Sequence, residues 1–255
     1  MNRKIYILGY GNLGSHLLNL FISRGIKVEG IFTDQQGLNI EVPIFNKTSF
    51  TDVLKPSDVL FIATKDDEII KFVNQSQNLD VIRIFCSGGI QFSYFENTYH
   101  LGVWYPLYSF SKNQNINWNE VPVFIEFQDN ETGDFLKQLN EILLLNYRIL
   151  NSEQRANLHL SAVFANNFVN ACMIACQEIL ENNEEAKFQD LFPIINQTIE
   201  KLKNAPALDC QTGPARRNDE ITMGKHIDYL KSNPYEQQLY LNISNYIQQK
   251  LKNNL

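Results

Sequence analysis

Residues 9–14 read GYGNLG and follow directly on the apolar run Ile5-Tyr6-Ile7-Leu8. Behind them Leu13, Leu17, Leu20 and Phe21 fall at helical spacings of three and four. A strand, a G-x-G-x-x-G turn and a helix in that order restrict the fold sharply. Gly9 permits the tight turn, Gly11 lets backbone approach a pyrophosphate, and Gly14 lets the helix pack closely on a sheet. The N–H groups that open the helix then face phosphate oxygens. Gly9, Tyr10, Gly11, Asn12, Leu13 and Gly14 are therefore the expected cofactor contacts.

Short apolar runs recur through the first half: KVEGIF (27–32), DVLFIAT (58–64), VIRIFC (81–86), HLGVWYP (100–106), VPVFIEF (121–127) and YRIL (147–150). Helical patterns lie between several of them, one opened by Asp66, Asp67 and Glu68 and one over 130–145. This alternation predicts an α/β fold, a doubly wound parallel sheet. From Ser152 onward the strand signal stops, and helices are predicted over 152–180, 186–203, 214–231 and 234–252. The expected organisation is a dinucleotide-binding domain over 1–150 and an all-α domain for substrate binding and dimerisation over 151–255.

In such sheets ligands bind outside the carboxyl ends of the strands. Three loops there add candidates. Thr33 and Asp34 end the second strand, where an acid binds the 2′-hydroxyl of NAD and a hydroxylated residue with an arginine suits NADP. Asp34 reads equally well as a solvated turn residue, so NAD and NADP both stay open. Ala63, Thr64 and Ser87 lie on the next two loops, as nicotinamide-side contacts or as turn caps.

Charge and cysteines bound the partners. Twenty-eight acidic against 22 basic residues give a net charge of −6, which argues against a nucleic-acid surface. The four cysteines form no metal-binding spacing and read as reduced core residues of a cytoplasmic protein; no metal site is expected. The first strand leaves no room for a signal peptide, and no apolar run reads as long enough to span a bilayer.

Residues 159–168, HLSAVFANNF, place a histidine and two asparagines inside an apolar helical pattern. At about 100° per residue, His159, Asn166, Asn170 and Asn167 fall within about 120° of Arg155, a single polar stripe. Such groups need partners or a wet cleft. Histidine suits proton transfer and asparagine suits holding a substrate. His159 is thus the candidate proton donor, with Asn166 or Asn167 orienting the substrate.

The order GYGNLG, ATKDD, SGG, YPLYSF, HLSAVFANNF, TGPARRND, LYLNIS resembles the Rossmann-like NADP oxidoreductases whose helical C-terminal domain is of unknown function. These are similar in build to pyrroline-carboxylate reductases, 3-hydroxyacid dehydrogenases and 6-phosphogluconate dehydrogenase. The resemblance implies NAD(P) binding and a homodimer formed through the C-terminal helices. Two positions depart from it. Aligning Asn167 with the asparagine of the hydroxyacid dehydrogenases puts Val163 where those enzymes carry a catalytic lysine. Tyr105 stands where the close family often has histidine, and keeps a substrate contact through its hydroxyl.

In TGPARRND, Pro214 suits a first helical turn, and Arg216 and Arg217 either clamp a carboxylate or phosphate or pair with Asp219 at the surface. The leading expectation is an NAD(P)-dependent oxidoreductase of a small anionic metabolite. The alternatives are a non-catalytic dinucleotide sensor and, ranked lower on the aromatic WYPLY segment, a prephenate-dehydrogenase-like enzyme.

Overall fold

The structure, a computed structural model, describes residues 3–95, 98–181 and 183–253. It divides into two compact units, Met1–Asn166 and Asn167–Leu255.

The first unit is built on eight strands: β1 (Ile5–Leu8), β2 (Val28–Phe32), β3 (Ile44–Phe45), β4 (Val59–Ile62), β5 (Ile82–Phe85), β6 (Leu101–Pro106), β7 (Val123–Phe127) and β8 (Tyr147–Ile149). They lie in the order β3-β2-β1-β4-β5-β6-β7-β8, parallel throughout except for β6 against β7. The chain winds outward from β1 in both directions, so the crevice of this Rossmann sheet opens between the ends of β1 and β4.

Period-two alternation explains the layers. Ile5 and Ile7 face one core with Val59, Phe61, Ile82, Ile84, Trp104 and Ile125. Helices α1 (Asn12–Ser23) and α3 (Asn130–Leu143) cover that face through Leu17, Phe21, Leu136 and Leu139. Tyr6 and Leu8 face the opposite core with Leu60, Ile62, Phe85 and Val103, covered by Ile69, Phe72 and Val73 of α2 (Asp66–Ser76).

Helix α4 (Ser152–Ala162) belongs to this first unit, because its Arg155 is buried in an ion pair with Glu126 of β7. A capping box between Asn151 and Gln154 starts it. A π-helical turn, Val163–Phe168, follows, and then α5 (Val169–Leu180). The uniform wheel of about 100° per residue therefore stops applying beyond Ala162, because a π turn takes more residues per turn. The run Ser152–Leu180 is also long and apolar enough, by length and composition, to cross a membrane, which corrects the expectation that no segment reaches that length. The intervening polar residues hid this at sequence level.

The second unit continues with α6 (Phe192–Leu202), the short α7 (Pro214–Arg217), α8 (Glu220–Tyr229) and α9 (Pro234–Lys252). Its only buried residues among those described are Ala215, Leu230 and Ser244.

Candidate functional site

The glycine loop has three glycines in three different situations. Gly9 sits at φ 99°, and a Cβ there would lie 2.6 Å from the carbonyl oxygen of Ala63. Gly14, in the first turn of α1, would put a Cβ 2.1 Å from the carbonyl oxygen of Gly9. Gly11 has nothing within 4 Å of its Cβ position. Two of the three hold the turn against β4 and α1, and the third faces open space in front of the helix N-terminus. This is a cradle with room beside backbone, and it fits the pyrophosphate of a dinucleotide.

The loop is braced from both sides. Gln35 Nε2 donates to the Tyr10 carbonyl at 2.9 Å, joining it to the end of β2. Asn12 Nδ2 donates to the Phe110 carbonyl at 2.9 Å, and His16 Nε2 lies 2.8 Å from the Ser111 carbonyl. The segment after β6 thus straps onto α1, a role of His16 that the sequence did not suggest. Leu13 packs against the core of its face. Thr33 is buried, and its Oγ1 accepts from the Gln35 N–H at 3.2 Å, so it caps the turn after β2. Asp34 is exposed and lines a cavity with Lys47, Thr48 and Lys71.

At the ends of β4 and β5, the Ala63 N–H donates to Leu8. Thr64 packs its methyl toward Gly9. Ser87 Oγ accepts from the N–H groups of Gly89 (3.1 Å) and Ile90 (3.3 Å), which curls Ser87–Ile90 into a tight loop. Gly88 of that loop lies against two rings: a Cβ there would stand 2.6 Å from His159 Nδ1 and 2.7 Å from Tyr105 Cζ.

Those two residues form a pair. Tyr105 Oη lies 3.0 Å from His159 Nδ1, with the rings nearly edge to face. Tyr105 is the last residue but one of β6, beyond the carboxyl end of β5, so the pair stands at the same end of the strands as the glycine loop. Burial raises the Tyr105 phenol above its ordinary value. The Arg155 charge pulls it down and Asp66 pushes it up. A phenol on an imidazole, at the cofactor end of the strands, has the composition of a proton-transfer device.

Asn166, in the first unit, and Asn167, in the second, are both exposed on the π turn. Arg216 and Arg217 lie in the second unit. Arg216 Nη1 donates to the carbonyls of Leu208 (3.0 Å) and Gln211 (2.8 Å), and Arg217 stands 3.9 Å from Asp219 at the surface. Sequence reasoning missed Arg155 and Glu126. The available signals were a carboxylate inside the apolar run VPVFIEF and an arginine one helical turn before His159.

Residues 121–247 match the family model of a domain of unknown function, DUF2520. No curated protein matches the sequence. Among solved structures, a candidate NADP oxidoreductase from Bacteroides fragilis is 27% identical, with a TM-score of 0.84 over 97% of this chain and 98% of that one. An imine reductase from Myxococcus stipitatus, in complex with NADP+, is 12% identical, with a TM-score of 0.68 over 98% and 94%. Pyrroline carboxylate reductase from Plasmodium falciparum, with NADP bound, is 14% identical, with a TM-score of 0.61 over 97% and 98%. The last two share the fold with this chain.

Proposed function

We propose that this protein is an NAD(P)-dependent oxidoreductase that moves a hydride to or from a small metabolite, with Tyr105 and His159 handling the proton. The observation that carries the reading is the Tyr105–His159 hydrogen bond at the end of the strands that also presents the glycine cradle. The reduced nicotinamide supplies the hydride when bound. The chain's own part is the proton. When His159 Nδ1 carries hydrogen it donates to Tyr105 Oη, which leaves the phenol hydrogen free for the oxygen or nitrogen of a C=O or C=N bond. The imidazole then makes good the proton that Tyr105 gives up.

Gly9, Tyr10, Gly11, Asn12, Leu13 and Gly14 would hold the pyrophosphate, with Ala63, Thr64 and Ser87 on the nicotinamide side. Thr33 and Asp34 stand at the adenosine end. Asp34 suits a ribose 2′-hydroxyl, while Lys47 and Lys71, on the same cavity, are the cations near a 2′-phosphate; the reading covers NAD and NADP alike. Arg216, whose Nη1 is held by two carbonyls, and Arg217 are the second unit's candidates for an anionic substrate group.

The second unit supports a homodimer. Ile221 and Tyr235 are 75% and 86% exposed, and α6 presents the exposed Phe192, Ile199 and Leu202, with the half-buried Ile195, along one stripe at spacings of three and four. A helical unit with so little buried inside it needs a covering surface, and a second copy provides one.

Titration with NADH and NADPH, followed by nicotinamide fluorescence, tests the reading. One of them should bind, and His159→Ala should bind it as well as the parent while losing turnover. No binding of either at millimolar concentration would remove the cofactor and the oxidoreductase with it. Tight binding without turnover of any metabolite would favour a sensor.

A further inference from the structure

Arg155 has no exposed side-chain surface, and every one of its five N–H donors is used. Nε and Nη2 reach Glu126 Oε2 at 3.0 and 2.8 Å. Nη1 reaches the carbonyls of Ser87 (2.8 Å) and Gly88 (3.1 Å), and Nη2 that of Ile90 (2.6 Å). The other Glu126 oxygen accepts from Ser152 Oγ at 2.7 Å, and Ser152 in turn accepts from the Phe92 N–H. One guanidinium therefore gathers three loop carbonyls, a strand carboxylate and the first turn of α4.

These contacts close a circuit around the proposed proton pair. Arg155 and His159 are four residues apart on α4, so one rigid turn carries both. Glu126 pairs with Val103 across β6 and β7, two positions from Tyr105. Gly88, whose carbonyl Arg155 holds, is wedged against both rings. β6 brings Tyr105, α4 brings His159 and the loop brings Gly88; the guanidinium, carried on α4, is bonded to that loop and to β7, the strand paired with β6.

We propose that Arg155 is a positioning residue, which by holding Glu126 and the Ser87–Ile90 loop keeps His159 and Tyr105 at hydrogen-bonding distance. This inference rests on the reading of that pair as the proton-transfer device. Lysine cannot substitute, because an ammonium has three donors and no planar fork. Asp66 and His159 are the other titratable groups that face Tyr105.

The test is a two-by-two set read by NMR of ring-labelled histidine: parent, Tyr105→Phe, Arg155→Lys and the double variant. The chain has four histidines, and loss of a signal in His159→Gln assigns the resonance. In the parent, Tyr105→Phe should shift the nitrogen-15 resonance of His159 Nδ1, because that nitrogen loses its hydrogen-bond partner. In the Arg155→Lys background the same change should move it little, because the pair is already apart. Equal shifts in both backgrounds would overturn the proposal and leave Arg155 a purely structural residue. If Arg155→Lys does not fold, Glu126→Gln gives the second background with the same two outcomes. The measurement needs neither cofactor nor substrate. Failure of the parent to bind dinucleotide would remove the oxidoreductase reading and leave this result standing.

Discussion

Alanine at Gly11 and at Gly14 should produce opposite defects. At Gly14 the added methyl would lie 2.1 Å from the Gly9 carbonyl oxygen, more than an ångström inside normal contact and against backbone that β1 and β4 hold. Overpacking of this kind costs about 1–3 kcal/mol, and at about 2–4 °C per kcal/mol the melting point should fall by about 2–12 °C. At Gly11 the methyl meets nothing within 4 Å, and φ −80° suits any L-residue. The remaining terms there are a weaker N-cap and a less flexible unfolded chain, which oppose one another at under about 1 kcal/mol each. Gly11→Ala should therefore melt within a few degrees of the parent. Its methyl would nonetheless fill the space that a pyrophosphate needs. Loss of one close phosphate contact, about 1.4 kcal/mol, weakens binding tenfold; steric exclusion should do at least that. The assay is differential scanning fluorimetry alongside NAD(P)H titration. Parent-like dinucleotide binding by Gly11→Ala would refute the assignment of the open face to a ligand. A parent-like melting point for Gly14→Ala would refute the packing argument.

Two further expectations follow from other parts of the molecule. Asp129 caps α3: burial raises its carboxyl, but bonds from the Thr132 N–H and hydroxyl, and the neighbouring His100, outweigh this and hold it below the ordinary value. A depressed acid gives its full stabilisation above its unfolded pKa and loses it as pH falls through the folded one. Asp129→Ala should thus cost about 1 kcal/mol at pH 7, and urea melts should show the deficit shrinking below about pH 4; a constant deficit would contradict the cap. Ile199→Glu, on the exposed stripe of α6, should give a monomer by sedimentation velocity where the parent sediments as a dimer. A monomeric parent would remove the homodimer.

The parts of this fold that sequence reveals are those governed by neighbours along the chain. Ile5 and Ile7 alternate with Tyr6 and Leu8 because a strand has two faces, and GYGNLG announces its turn because each glycine answers a local backbone demand. The π turn at Val163–Phe168 has no such local signature, so a uniform helical wheel does not extend through Asn166 and Asn167, while His159, upstream of it, keeps its place one turn from Arg155. Buried charges are the other blind spot. Arg83 in β5 is fully buried and donates to the carbonyls of Val81 and Tyr99, with no carboxylate bonded to it among the described residues, whereas Arg155 finds Glu126, 29 positions away. From sequence Arg83 stands in an apolar run and Arg155 in a polar first helical turn, and neither pattern announces a buried guanidinium.

What separates the two arginines is what depends on their geometry. Arg83 ties the end of α2 to its own sheet through Ser76, and its replacement would loosen a helix terminus. Arg155 fixes a loop whose glycine touches two rings with hydrogen to exchange. Glycine at position 88 makes the same argument from the opposite direction: any side chain there would force apart the rings that Arg155 holds together. Gly88→Ala and Arg155→Lys should therefore give the same spectroscopic phenotype at His159, although one adds a methyl to a loop and the other removes donors from a helix. A shared loss of Tyr105 coupling would identify the pair itself as what both residues were placed to keep.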